Sequence, residues 1–544
     1  MKKKLSVAVS LSLLATGVLA GCGTDDKKET GSSEKKDQTL RLTTTDEIPS
    51  MDSILATDEL SFNVFVNTNE GLYRLGEDGK TAVPGVAESH TVSEDGSVYT
   101  FKLRESKWSN GEAVTAHDFE FAWKRALDPK SGSQYAYIMG DIKGATDAMN
   151  GKGSLDDVGV KALDDYTLQV TLQNAVPYFL DLTTFPTFFP QNEKFVKEQG
   201  KKYGLEANTT LYNGPFVMSD WQHNTSYQLK KNDNYWDKDA VKLKQVDYKI
   251  VKETSTDVNL YTTGQVDRIG LAAEYVDNYK DDKEFMTQTE PSVFYMRMNQ
   301  DNEALANVNI RKAISLSLDK SGIVNEILNN GSQVADYFVP RDLTVSPKNG
   351  KDFRDLNGGF NTVDKEAAKT YWEKGLKELG VKTVKLDLIN SDGDVSKKMS
   401  EYIKEQLESN LDGFELTIKM MPFKQKLALE SKQDYDMGLG GWGADYTDPM
   451  TYLDMFTTDS SYNQSSFSNA EYDKLIADAK STLLSDVNAR YDALLKAEKI
   501  LLDEEAVLVP IYQKGKAILQ KSYVKNIVLH ATGGRTALKW AYIE

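Results

Sequence analysis

The chain is poor in the residues on which most catalytic and metal chemistry is built. It has one cysteine, Cys22, and four histidines, His90, His117, His223 and His530, among 544 residues. A single thiol excludes an internal disulfide, and its place near the N-terminus leaves the body without a thiol nucleophile. The histidines are too far apart in sequence to signal a metal site, and no H-E-x-x-H occurs. Neither a G-x-S-x-G elbow nor a glycine-rich loop ending in Lys-Ser/Thr is present. Carboxylate pairs such as Asp25-Asp26 and Asp281-Asp282 sit in polar runs and read as solvated surface. Beyond Leu19 no apolar run approaches the roughly 20 residues of a membrane-spanning helix. Positive charge is also short. The formal net charge is -17, which argues against nucleic acid or anionic lipid as a partner. It says little about a ligand, since solubility alone explains an acidic surface. An enzyme is therefore not expected, nor is a cofactor.

What is present begins at the N-terminus. Lys2, Lys3 and Lys4 form a basic region, and Leu5 to Leu19 is a mostly apolar stretch of about 15 residues, the make-up of an export signal over 1–21. It ends in Leu19-Ala20-Gly21-Cys22. Small residues before a cysteine fit the lipobox of bacterial lipoproteins, where the thiol is acylated and the chain cut before it. Residues 23–38 hold no large apolar side chain, so 22–38 reads as a lipidated cysteine and flexible tether. More than one acyl chain on Cys22 gives stable anchoring. The expected location is the extracytoplasmic face of the cell membrane of a Gram-positive-like bacterium.

The remaining stretch, roughly 505 residues, is too long for one core and predicts two or three domains. Strands are predicted at 39–43, 98–103, 166–172, 384–389, 414–418 and 506–512. Asn110-Gly111 reads as a tight turn. Thr115 caps a helix, with Asp118 completing a short capping box. The spacing of Ile310, Ala313, Ile314 and Leu318 predicts a helix over 309–329. Ser468-Asn-Ala-Glu471 reads as a second capping box. Alternating strands and helices in the second half point to an α/β lobe.

Seven segments carry a resemblance: Asn69-Glu-Gly-Leu72, Tyr99-Thr-Phe-Lys-Leu-Arg104, the run Lys107 to Phe119, Asn213-Gly-Pro-Phe216, Asn232-Asp-Asn-Tyr-Trp-Asp237, Asn309-Ile-Arg-Lys-Ala313 and Gly441-Trp-Gly-Ala-Asp-Tyr446. Together they resemble the oligopeptide- and dipeptide-binding proteins of bacterial ABC importers, the extracellular solute-binding proteins of family 5, over about residues 39–544. The resemblance implies an α/β, two-lobed periplasmic-binding-protein-like fold (type II, the large three-domain kind) with two hinge crossovers. Lobe I would comprise 39–75, 196–297 and 514–544, with 76–195 an inserted subdomain and 298–513 lobe II. The crossings would fall near Met296–Met298 and Gln513–Lys516. It further implies a monomer that binds short extended peptides in a closing cleft and delivers them to permease subunits.

The same resemblance assigns the site. Asp445 would hold the peptide amino terminus, in a loop where Gly443 and Ala444 leave room. Trp442, Tyr135 and Tyr512 would line the cleft. Phe423 stands where relatives carry a tryptophan, keeping an apolar wall but losing an N–H donor. Leu439, Glu430 and Ser396 depart from basic or histidine positions of the enterobacterial pattern. Arg297 replaces a glutamate and would serve either a ligand carboxylate or a lobe-to-lobe salt bridge. Other members of the family take nickel, haem or a single signalling peptide. A receptor for one signalling peptide and a metal-chelate or haem binder are therefore the alternatives, with a surface-anchored hydrolase the most remote.

Overall fold

A computed structural model describes residues 37–346 and 348–544. The export signal and Cys22 lie outside the described residues, as does nearly all of the tether. Gln38, assigned to the tether from sequence, belongs to the fold instead. Its carboxamide exchanges two hydrogen bonds with the backbone of Ile543, so a polar residue is held because it satisfies a chain end.

Helices and strands alternate, and the main sheet has eleven strands. Two long antiparallel strands form its centre: β1 (Phe285–Met298) and, later in the chain, Leu508–Gln520. The strand between them in sequence that matters here is β2 (Met437–Gly443), so Leu508–Gln520 is β3. The N-terminal part of β1 pairs with Gly515–Leu519 of β3, and its C-terminal part pairs with Leu508–Gln513, with register shifts between Thr289 and Val293. The partners on the far side also change. The end of β3 pairs with Arg268–Leu271, whereas Ser292–Met298 of β1 pairs with β2. The shift therefore falls where one set of neighbouring strands gives way to another, which is where a bulge bends a sheet.

Beyond β2 lie the parallel strands Val384–Ser391 and Phe414–Met421. Their apolar faces pack with Met296, Ile310, Ile403, Met437 and Val509 into one core. A larger core contains Phe101, Trp123, Tyr135 and Phe185, and reaches Trp442, Tyr462 and Leu494. A separate four-stranded antiparallel sheet is built from Ala87–Val92, Val98–Leu103, Val160–Asp164 and Thr167–Thr171.

The capping box at Thr115 forms: the Thr115 amide donates to Asp118 at 2.8 Å, and the Trp108 indole donates to the same carboxylate at 3.2 Å. Gly111 adopts φ +89, the left-handed region that the turn after Asn110 requires. Two local expectations fail. The cap at 468–471 is Asn469, whose side chain accepts from the Glu471 and Tyr472 amides at 3.0 Å; Ser468 accepts from the Thr458 hydroxyl instead. The helix expected over 309–329 is two pieces, Val308–Ser317 and Ile323–Leu328. Between them Lys320 is buried, its ammonium taken by Asp336 and by the carbonyls of Ala335 and Asn361. Apolar spacing does not register that tertiary demand.

Candidate functional site

The glycines of β2 decide what its neighbours can do. Across the β1–β2 pair, Gly443 faces Ser292, Trp442 faces Val293, Gly440 faces Tyr295 and Gly438 faces Arg297. A Cβ on Gly441 would meet the Phe294 ring at 2.7 Å, and one on Gly443 would meet the Arg535 guanidinium at 2.9 Å. Side chains are therefore excluded where an aromatic ring and a cation close on the strand. Trp442 between them is buried. Its indole N–H donates to the Thr451 carbonyl at 2.8 Å. The ring stacks on Tyr135 at 5.8 Å and 10°, and meets Tyr462 edge-on at 4.9 Å. Tyr135 in turn stacks on Phe185 at 5.2 Å and meets Phe62 edge-on at 5.5 Å. Tyr135 and Trp442, about 300 positions apart, thus share one aromatic box.

Asp445 follows immediately. Ala444 is pinned by its amide to Pro291 and by its carbonyl to the Gly533 amide. The Asp445 amide donates to Thr451 Oγ1 at 3.0 Å. The side chain is only 4 % exposed. Burial, and then the nearby carboxylate of Asp454, push its pKa well above the ordinary carboxylate range; Arg535 and the hydroxyls of Tyr135 and Thr451 pull the other way. Its Oδ2 is buried with no hydrogen-bond partner. Tyr135 is raised well above its usual value, by burial first and by Asp445 second.

Arg297 sits further along the same face, nearly fully buried. It donates to Gln464 and, at 2.9 Å, to the Tyr295 hydroxyl, and lies 3.5 Å from Glu430. Lys426 donates to the same carboxylate at 2.8 Å. Glu430 and Lys426 belong to the helix Phe423–Ser431. Beside Gln464 opens a recess of about 370 Å³, lined by hydroxyl and amide groups such as Ser431, Thr458 and Asn463.

Two sequence candidates stand outside the aromatic box. Phe423 opens the helix Phe423–Ser431 half-buried. Its ring lies 5.9 Å from the Lys426 ammonium. Tyr512 stacks on Phe294 at 4.8 Å and 6° within the second core. Sequence reasoning passed over Thr451, Asp454, Tyr462 and Arg535. The first two lie six and nine residues beyond Asp445 and could have been sought there; Arg535 left no local signal. Among the described residues no group of three or more His, Cys, Asp or Glu could hold a metal ion. No helix among them is long and apolar enough to cross a membrane.

The chain is 37 % identical over 549 residues to the oligopeptide-binding protein OppA of Bacillus subtilis, covering 98 % of each. Its fold matches the substrate-binding domain of an oligopeptide ABC transporter from Bacillus anthracis with a TM-score of 0.91, at 48 % identity over 93 % of this chain and 99 % of the other. It matches Listeria monocytogenes OppA bound to peptide with a TM-score of 0.90, at 42 % identity over 93 % and 99 %. The fold is thus the two-lobed α/β binding-protein fold. Residues 81–464 match the model of the bacterial extracellular solute-binding proteins, family 5 middle, and the chain belongs to that family.

Proposed function

We propose that the protein is the substrate-binding component of an ABC peptide importer and takes short, extended peptides between its lobes, with Asp445 holding the α-ammonium group. The observation that carries this reading is the buried Asp445 carboxylate whose Oδ2 has no partner. Such a group costs stability unless a donor, best a cation, meets it. A peptide amino terminus supplies three donors and one positive charge. Trp442 and Tyr135 form the apolar wall beside it, and Gly443 and Ala444 carry the chain closely past Arg535 and Pro291 into the loop that holds Asp445. Main-chain pairing along strand edges gives affinity without reading side chains.

In this reading lobe I comprises 39–75, 196–297 and 514–544, 76–195 is an insertion, and 298–513 is lobe II. The register shifts in β1 and β3 are the flexing points, and closure buries the ligand. Phe423 and Tyr512 contribute outer walls. Cys22 anchors the monomer to the outer face of the cell membrane, and the closed form delivers peptide to the permease subunits.

The test is calorimetric titration of the chain from residue 23 with a free tetrapeptide and its N-acetyl form. Acetylation, or D445N, is expected to cost about 2–5 kcal/mol, roughly 30- to 5000-fold in affinity. Equal binding of free and acetylated peptide would sink the anchor.

A further inference from the structure

Gln134 opens the single helical turn Gln134–Met139, directly before Tyr135. Ser133, on its other side, is buried, and its hydroxyl donates to the Ile54 carbonyl at 2.5 Å. That bond ties the start of the turn to an early segment of the chain. From this point Gln134 reaches across to the second half of the sequence. Its carboxamide N–H donates to Ser431 Oγ at 2.5 Å, at the last residue of the helix Phe423–Ser431. Its backbone carbonyl accepts from the Ser461 hydroxyl at 2.7 Å. Its carboxamide oxygen lies 3.5 Å from Nε2 of Gln464, whose own oxygen accepts from Arg297. Gln134 is thus joined to the Arg297 cluster by its side chain and to the aromatic box by its neighbour in sequence.

These bonds border an aromatic contact. Gln134 precedes Tyr135 as Ser461 precedes Tyr462. The two tyrosine rings meet edge-on at 5.6 Å, and both pack on Trp442. The three rings are buried, whereas Ser431 and Ser461 are exposed and Gln134 is half-buried. A dry apolar centre with a wet polar rim is the anatomy of an interface between two surfaces. The recess of about 370 Å³ lies on the same flank, with Ser431, Ser461 and Gln464 in its lining. Elsewhere residues 76–195 and 298–513 share longer polar contacts, Thr447 to Asp181 at 3.3 Å and Asn174 to the Lys480 carbonyl at 3.2 Å. The bonds at Gln134 are shorter, and none of the four groups involved carries a charge. Parted from one another, exposed amides and hydroxyls exchange their partners for water at modest cost. Such a contact can open and close without stranding a buried charge.

We propose that Gln134 is a positioning residue that clasps the turn carrying Tyr135 to Ser431 and Ser461 and thereby sets how long a bound peptide is retained. The assignment rests on the reading of 76–195 and 298–513 as opposite walls of the peptide cleft. The clasp exists only where the walls meet, so it acts on the form that holds peptide and not on the encounter. Its loss is read in the release rate, where most differences among variants of one binding surface reside. Gln134 acts through Tyr135 and the wall contact and needs no bond to the peptide.

The experiment follows release of Ala-Ala-Ala-Lys, dansylated on its lysine side chain and free at its amino terminus, from the chain beginning at residue 23, chased with unlabelled peptide in a stopped-flow instrument. Q134M keeps the length of the side chain and removes the carboxamide. S461A removes the hydroxyl that donates to the Gln134 carbonyl. Release is expected to quicken about fivefold in Q134M and about threefold in S461A, and further in the double variant, each bond being a modest one. Association should stay within about twofold of wild type, and the urea midpoint of the peptide-free protein should not move. A role confined to stabilising the fold would lower that midpoint and leave release unchanged. Release at the wild-type rate in folded Q134M overturns the proposal, and so does slower association with release unchanged. The two readings part at the wild-type protein. If it binds no free peptide, the cleft reading falls and the clasp with it; if it binds and Q134M releases no faster, the clasp alone falls.

Discussion

The two ends of the β1–β2 strand pair bury charge in opposite ways. At the Arg297 end, Glu430 is met by both Arg297 and Lys426, and the remaining arginine donors go to Gln464 and Tyr295. No carboxylate there lacks a cation. At the Asp445 end the carboxylate is surrounded by rings, hydroxyls and a second carboxylate, and one oxygen has no partner. A buried charge that is paired holds a structure in one arrangement; one left unpaired weakens the structure until a ligand answers it. On the proposed reading the first end is scaffold and the second is site, although both are buried and border the same strand pair. Burial alone does not distinguish the two ends; the pairing does, and it is the pairing that supports the proposed role of Asp445.

The sharpest way to break that contrast is to remove a carboxylate from each end. E430Q would leave two buried cations without their partner and should cost about 3–5 kcal/mol, measured by urea unfolding of the peptide-free protein. D445N replaces a carboxyl group that has no cation bonded to it and should leave stability at pH 7 unchanged or higher. Equal losses in the two variants would erase the distinction.

A pH series sharpens the same contrast. The folded protein holds a proton on Asp445 at pH values where the unfolded chain, with an aspartate near pKa 3.9, has already lost it. Stability from this group is complete below that value and declines as pH rises toward the raised folded pKa. Peptide affinity should move oppositely over the same window, because the ammonium needs the ionised carboxylate and binding expels the proton. It should fall again above about pH 8, where the peptide amine deprotonates. In D445N the acid-side slope of the affinity curve should vanish, and that of the stability curve should shrink to what the other buried aspartates with raised pKa values, Asp46, Asp58, Asp118 and Asp257 among them, still contribute; a wild-type affinity that is flat across that range would contradict the assignment. His530 supplies an internal control of opposite sign. Burial holds it down to about 3, so its contribution is present above its unfolded value near 6.5 and is lost as pH falls toward 3.

Much of the fold was legible, but the motifs that revealed it mark scaffolding more than site. Glu70 of the Asn-Glu-Gly-Leu segment accepts from Arg74, Tyr235 and Trp236. Asn213 brackets the Glu70 backbone through both ends of its carboxamide. Trp108 ties to Asp118, and Arg311 takes the carbonyls of Leu305, Ala306 and Glu505. These residue types at these spacings are demanded by buried polar groups that must pair, and that demand is readable as sequence. The site is less so. Trp442 and Asp445 sit in one segment and stand out, whereas Tyr135, Tyr462 and Arg535 join them only through folding. The break at Lys320 and the Asn469 cap escaped for the same reason, since each depends on a partner that no local pattern contains.

Trp442 and Phe423 close the series with smaller effects. W442F keeps a ring against Tyr135 and Tyr462 but leaves the buried Thr451 carbonyl without its donor, a loss of about 1–2 kcal/mol in stability with affinity lowered about tenfold or less. F423W tests the opposite case. Phe423 is half-buried, lies outside the aromatic box, and reaches only the edge of the Arg297 cluster, its ring 5.9 Å from the Lys426 ammonium. A half-buried site has room for a larger ring. Stability should therefore stay within about 0.5 kcal/mol. If Phe423 walls a side-chain pocket, F423W should shift the ranking of peptides that differ at one internal position while leaving the penalty for acetylation untouched. A change in that penalty would place Phe423 at the ammonium end, and the contrast between the two ends would have to be redrawn around it.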